Sequence, residues 1–136
     1  MTERTWDSTS IARLKGVHPD LVRGMTRALQ LAPFPFRVID GLRTVTRQKE
    51  LVRIGASKTM RSRHLTGHAV DIVPLVDLDR DGKLETNELF SWPLINKLAP
   101  VVKQAFAGEG IPIEWGGDWR SFKDGPHWQL PWKAYP

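Results

Sequence analysis

A carboxylate in the middle of an apolar strand limits the folds open to a chain. Residues 68–74, His-Ala-Val-Asp-Ile-Val-Pro, carry one. The run is β-prone, so the alternate residues Ala69, Asp71 and Val73 share one face. A carboxylate among apolar neighbours is costly unless it is paired or bound to a metal. The fold is therefore expected to bring partners to Asp71. Candidates are His64, just upstream, and the Asp124 and His127 of Lys-Asp-Gly-Pro-His-Trp, residues 123–128. Two histidines and a carboxylate are a common ligand set for a catalytic zinc, with the fourth position left to water. A further carboxylate beside a ligand is what a metal-bound water needs as its base. If the two stretches meet in space, they make a hydrolytic site.

The chain's 136 residues, 40% apolar and 26% charged, suit one globular domain with its own core, 1–136. The net charge of +5 favours polyanionic surroundings such as nucleic acid, anionic lipid or an acidic cell wall. It does not choose among them, and a solvated basic surface explains it equally well. No recognised nucleic-acid motif is present. Cysteine is absent, so disulfides and thiolate metal sites are excluded and any metal must bind through His, Asp, Glu or backbone oxygen. Residues 1–16 mix charges and lack a continuous apolar stretch, so no signal peptide is expected. No apolar run approaches the ~18 residues of a membrane span, so no membrane insertion is expected. Synthesis in the cytosol and a monomeric state are the corresponding expectations.

Local patterns predict the elements. Asp7 or Ser8 caps a short helix carrying Ile11 and Leu14, ended by Gly16. Pro19 starts a second helix, in which Leu21, Val22, Met25 and Leu29 recur at helical spacing to about Leu31. Residues 36–40 read as a strand, 46–54 as a helix closed by Gly55, and 56–63 as a basic loop. Residues 92–107 read as a helix with Leu94, Ile95, Leu98, Val101, Val102, Ala105 and Phe106 inward, kinked at Pro100. Residues 112–115 and 127–130 read as short strands around Trp-Gly-Gly-Asp-Trp. The order implies a small α+β domain.

His64 and His68 are four apart, like a helical zinc pair. Yet Thr66 and Gly67 separate them, the following run is β-prone, and His-Glu-x-x-His is absent. In a strand His68 points away from Asp71, so it is set aside as a ligand. His18, before Pro19, reads as a surface residue.

Ser62, His64, Gly67, Ala69 and Asp71 together form S-x-H-x-x-G-x-A-x-D. Gly-Leu-Arg-Thr (41–44) comes before it, as do Gln48, Leu51, Gly55 and Ser57. Trp-Gly-Gly-Asp-Trp (115–119) and Asp-Gly-Pro-His-Trp (124–128) come after it. In this order the motifs resemble the VanY-like zinc D,D-carboxypeptidase and phage L-alanyl-D-glutamate endopeptidase family across roughly residues 10–130. The resemblance implies a central antiparallel sheet with flanking helices, of the hedgehog/D-Ala-D-Ala peptidase type. It implies zinc ligands at His64, Asp71 and His127 and a general base at Asp124. Arg43 would contact a substrate carboxylate, or be a structural ion pair instead. Ser62 would orient substrate or the His64 loop. Asp118 is either a group turning a ligand histidine or a turn residue. Trp115, Trp119 and Trp128 read as core, with some lining the cleft. The implied activity is cleavage of the L-Ala–D-Glu bond of the peptidoglycan stem peptide, as a phage endolysin reaching the wall after membrane permeabilisation. The alternatives are a D-Ala–D-Ala carboxypeptidase and a non-catalytic metal-binding wall module.

A second metal pattern lies downstream. Residues 77–88, Asp-Leu-Asp-Arg-Asp-Gly-Lys-Leu-Glu-Thr-Asn-Glu, fit the calcium loop D-x-D-x-D-G-x5-E. Asp77, Asp79 and Asp81, the Lys83 carbonyl and Glu88 fall at ligand positions, and Gly82 permits the turn. The strand-like residues upstream lack an EF-hand's entering helix. The expectation is one EF-hand-like Ca2+ loop, structural or regulatory.

Overall fold

The computed structural model describes residues 4–136. Four strands form one antiparallel sheet in the order β1-β2-β4-β3. They are β1 (Phe36–Asp40), β2 (Ala69–Pro74), β3 (Glu114–Trp115) and β4 (His127–Gln129). Among the described residues the α-helices are α1 (Ser8–Arg13), α2 (Pro19–Leu31), α3 (Val45–Arg53), α4 (Thr86–Leu89) and α5 (Trp92–Gly108). This is the α+β class expected from the element order.

The two faces of the sheet differ in chemistry because side chains alternate. On one face Phe36, Val38, Val70, Ile72, Trp115 and Trp128 join Leu21, Met25 and Leu29 of α2 and Ile95, Leu98, Val102 and Phe106 of α5 in the core. Trp115 and Trp128, paired across β3–β4, stack at 5.6 Å. The other face carries Asp71 opposite His127, and Gln129 opposite Glu114. A register shift between Val38 and Asp40 sets Asp40 opposite Asp71. Without this bulge Ile39 would take that place, so the extra residue turns a carboxylate onto the polar face.

The helices start where capping chemistry allows. Asp7 accepts from the Ser10 amide at 2.8 Å, and Pro19 opens α2. In α1 Ser10 is buried and its hydroxyl accepts from the Val38 amide at 2.9 Å, while Ile11 is exposed. Two expectations need correction. Val101, expected inward, is only partly buried while Ala99 is buried; α5 runs as one element from Trp92 to Gly108 with Pro100 inside it. His18 is half-buried: its Nδ1 accepts from the Asp20 amide, and its ring packs on Tyr135 and His68.

No helix among the described residues is long and apolar enough to cross a membrane.

Candidate metal and catalytic site

His64 sits in a 3-10 turn, Arg63–Thr66, within a stretch whose first residues were expected to be loop. Ser62 caps this turn by accepting from the His64 amide at 3.2 Å. Gly67 ends it at φ 75°, and a Cβ there would stand 2.3 Å from the Gly16 carbonyl oxygen. Both the conformation and the close approach call for glycine. Two neighbours fix the turn against the strands. The buried Arg63 donates to the Leu130 carbonyl at 3.1 Å, tying the turn to the end of β4. The Arg43 amide donates to the His64 carbonyl at 2.9 Å, tying it to the end of β1.

These restraints bring His64, Asp71 and His127 together. His64 Nε2 and His127 Nδ1 each lie 3.2 Å from Asp71 Oδ1. One donor atom from each of the three falls within 4.8 Å of the others, a set that can hold a metal ion. Both rings are held from behind. His64 Nδ1 lies 2.8 Å from the Gly41 carbonyl, and His127 Nε2 lies 2.8 Å from Gln129 Oε1. The nitrogens left facing Asp71 are thus of different kinds, Nε2 from one ring and Nδ1 from the other.

The electrostatics favour a cation here. Burial alone would raise the Asp71 carboxyl, but hydrogen bonds from His127 and His64 and the charge of both rings hold it well below the usual carboxylate range. Burial would lower His127; the Asp71 carboxylate, helped by Gln129 and Asp124, outweighs it and raises the ring. Asp124 behaves oppositely to Asp71. Burial and then the Asp71 charge raise it, and His127, His64 and Arg43 oppose the rise only in part. A carboxyl near a cation site but raised by burial suits proton transfer better than ligation.

The remaining expected residues lie at different distances from this chemistry. Arg43 pairs with Asp40 and donates to Gln48 Oε1 at 2.8 Å, so part of its guanidinium is structurally engaged. A guanidinium has more donors than these bonds use. Gln48, fully buried, donates in turn to Ser57 at 2.9 Å, linking Arg43 to the basic loop. Trp119, partly buried, lies against His127 at 5.1 Å, whereas Trp115 and Trp128 are core. Asp118 is exposed and pairs with Lys103 at 2.7 Å, so it turns no ligand histidine. His68 bonds Thr66 at 2.7 Å and faces His18, outside the cluster.

Residues 77–88 form a second cluster. Donor oxygens of Asp77, Asp79, Asp81 and Glu88 lie within 4.8 Å of one another. The Lys83 amide donates to Asp81 at 2.9 Å, and Gly82 adopts φ 84°. Asp77 Oδ1 is buried without a hydrogen-bond partner. Glu85 is pushed up to about 7, first by its hydrogen bond with Asp81 and then by the charges of Asp79 and Asp81.

Sequence reasoning missed Asp40, Gln129 and Glu114. Gln129 was open to inference: in a strand it shares a face with His127, two residues before it.

A model of the family described as phage L-alanyl-D-glutamate peptidase matches residues 4–129. The L-alanyl-D-glutamate peptidase of Escherichia phage T5 is 31% identical over 115 residues, 82% of this chain and 79% of that protein. The L-alanyl-D-glutamate peptidase of Listeria phage A118 is 34% identical over 100 residues, 72% of this chain but 31% of its own length. The crystal structure of the L-Ala D-Glu endopeptidase ChiX of Serratia marcescens superposes with a TM-score of 0.83 at 43% identity, covering 98% of this chain and 95% of that one.

Proposed function

The chain belongs to the phage L-alanyl-D-glutamate peptidase family, and from that premise we propose that it is a zinc-dependent peptidoglycan endopeptidase cutting the L-Ala–D-Glu bond of the stem peptide. The observation that carries this reading is the convergence of His64 Nε2, Asp71 Oδ1 and His127 Nδ1 beside a carboxyl, Asp124, whose pKa is raised. A set of two nitrogen donors and one oxygen donor fits a catalytic zinc, which takes water as its fourth ligand. Bound there, zinc would polarise the scissile carbonyl and make water acidic enough to attack it near neutral pH.

The chain's own groups do the rest. The Asp124 carboxylate takes a proton from the attacking water and delivers it to the amine nitrogen of D-Glu as the C–N bond breaks. Water is thereby added across the amide, leaving an L-Ala carboxylate and a free D-Glu amine. Arg43, anchored by Asp40 and Gln48, offers its unused donors to a stem-peptide carboxylate. Ser62 acts through the backbone, holding the turn that carries His64.

The loop at residues 77–88 is read as a calcium site built by Asp77, Asp79, Asp81, the Lys83 carbonyl and Glu88. The buried unpaired oxygen of Asp77 and the crowding that raises Glu85 support it, because a cation would relieve both. In the cell the protein acts as an endolysin: a monomer made in the host cytoplasm that reaches the wall once the membrane is permeabilised.

Replacing Asp124 tests the catalytic reading against a metal-binding wall module. Asp124→Ala should abolish lysis of purified walls while zinc content, measured by atomic absorption, stays at the wild-type level. Equal lysis by both proteins would remove Asp124 as the base.

A further inference from the structure

Beyond the three donors, the polar face of the sheet holds a directed chain of hydrogen bonds that ends on His127. Glu114 of β3 lies opposite Gln129 of β4 in register, and Gln129 shares its face with His127. Glu114 Oε1 accepts from the Trp119 indole N–H at 3.3 Å. Glu114 Oε2 accepts from Gln129 Nε2 at 3.1 Å. Gln129 Oε1 then faces His127 Nε2 at 2.8 Å. Gln129 is buried, as is His127.

The direction of this chain is forced. A carboxylate only accepts, so it draws the amide NH2 of Gln129 towards it. A flipped amide would set its oxygen against the carboxylate and its NH2 against the ring. With Oε1 on the ring side, His127 Nε2 must carry the hydrogen. The lone pair of the neutral ring then lies on Nδ1, the nitrogen 3.2 Å from Asp71 Oδ1. His64 reaches the opposite tautomer by another route: the Gly41 backbone carbonyl, which no substitution removes, accepts from its Nδ1 at 2.8 Å. Both rings face Asp71 Oδ1; of their outer partners, only that of His127 is a side chain.

We propose that Glu114 and Gln129 are positioning residues: Glu114 orients the Gln129 amide, and Gln129 fixes His127 as the Nε2–H tautomer that presents Nδ1 to the metal. The inference rests on the metal-site reading of His127, but tautomer choice can be read without metal. Outer partners of metal-bound histidines typically contribute 10–100-fold in affinity.

The test combines long-range ¹H–¹⁵N NMR of the imidazoles in metal-free protein at alkaline pH with zinc affinity from competition against a chromophoric chelator. Wild type should show the Nε2–H tautomer at His127. Gln129→Leu, and Glu114→Ala with its freed amide, should show mixed tautomers and bind zinc about 10–100-fold more weakly. The exchanged pair Glu114→Gln/Gln129→Glu rebuilds the same polarity, because Gln at 114 donates to a carboxylate at 129 that still accepts from the ring. It should restore tautomer and affinity, which separates orientation from loss of folding. An unchanged His127 tautomer and zinc affinity within twofold in the two single variants would overturn the proposal, as would failure of the exchanged pair to rescue. A wild type that shows the fixed tautomer yet binds no zinc would instead refute the metal reading and leave the orientation of His127 established.

Discussion

Asp71 and Asp124 show how environment moves the same side-chain type in opposite directions. Both are buried to an extent that would raise an isolated carboxyl. Asp71 touches both imidazoles and stays ionised; Asp124, beside the Asp71 charge, is raised. Arg43 raises the question of how far a residue can be structural and functional together. Its bonds to Asp40 and Gln48 stiffen it, which would lower the entropy lost in binding the proposed substrate carboxylate. Losing a hydrogen bond to a charged group typically costs about 1.5–3 kcal/mol. Arg43→Ala should therefore lower kcat/KM on muropeptides roughly 10–100-fold with zinc content unchanged, and Arg43→Lys should recover only part of it. A kcat/KM within twofold of wild type would reduce Arg43 to a partner of Asp40. The candidate metal ligands were legible in the sequence because a carboxylate in an apolar strand calls for partners and the ordered family motifs name them. Gln129 and Glu114 were not, because a glutamine and a glutamate on short strands look like ordinary polar residues until the register pairs them.

At the scale of elements, periodic and capped segments followed from local rules, while the turn and the bulge that place the site did not. Helix α2 and strand β1 lie where Pro19, helical spacing and the β-prone run at 36–40 set them. The 3-10 turn that carries His64 has no periodicity to detect; Ser62, the left-handed Gly67 and the Arg63 anchor to Leu130 create it. The bulge between Val38 and Asp40 was equally silent, since a register shift depends on the partner strand. The loop at 77–88 was the opposite case, a fixed spacing of carboxylates readable directly. It leads from β2, the strand of Asp71, into α4, with Glu88 receiving the Leu78 and Glu85 amides. Calcium binding to the folded loop should raise the thermal midpoint by mass action, by an amount that grows with calcium concentration. Differential scanning fluorimetry should show this rise in wild type and not in Asp79→Ala. Matching curves for the two proteins would remove the calcium site.

Across the whole molecule, one sheet separates two tasks. Its apolar face, closed by α2 and α5, holds the core, and its polar face holds the site. The site can therefore be built from residues that would weaken a core, because stability is supplied on the opposite side. The α+β class was legible from the order of elements; the strand order β1-β2-β4-β3 was not, because it depends on β4 entering between β2 and β3 from the far end of the chain. That entry sets His127 opposite Asp71 and makes one site from two stretches distant in sequence. Whether the protein makes a metal-dependent cut between L-Ala and D-Glu can be read by mass spectrometry of purified muropeptides digested with and without a chelator. Whole stem peptides bearing a free D-Glu amine should be released, leaving muramyl-L-Ala, in a reaction stopped by the chelator and restored by zinc. Loss of a single D-Ala from the stem, or digestion indifferent to the chelator, would overturn the assignment.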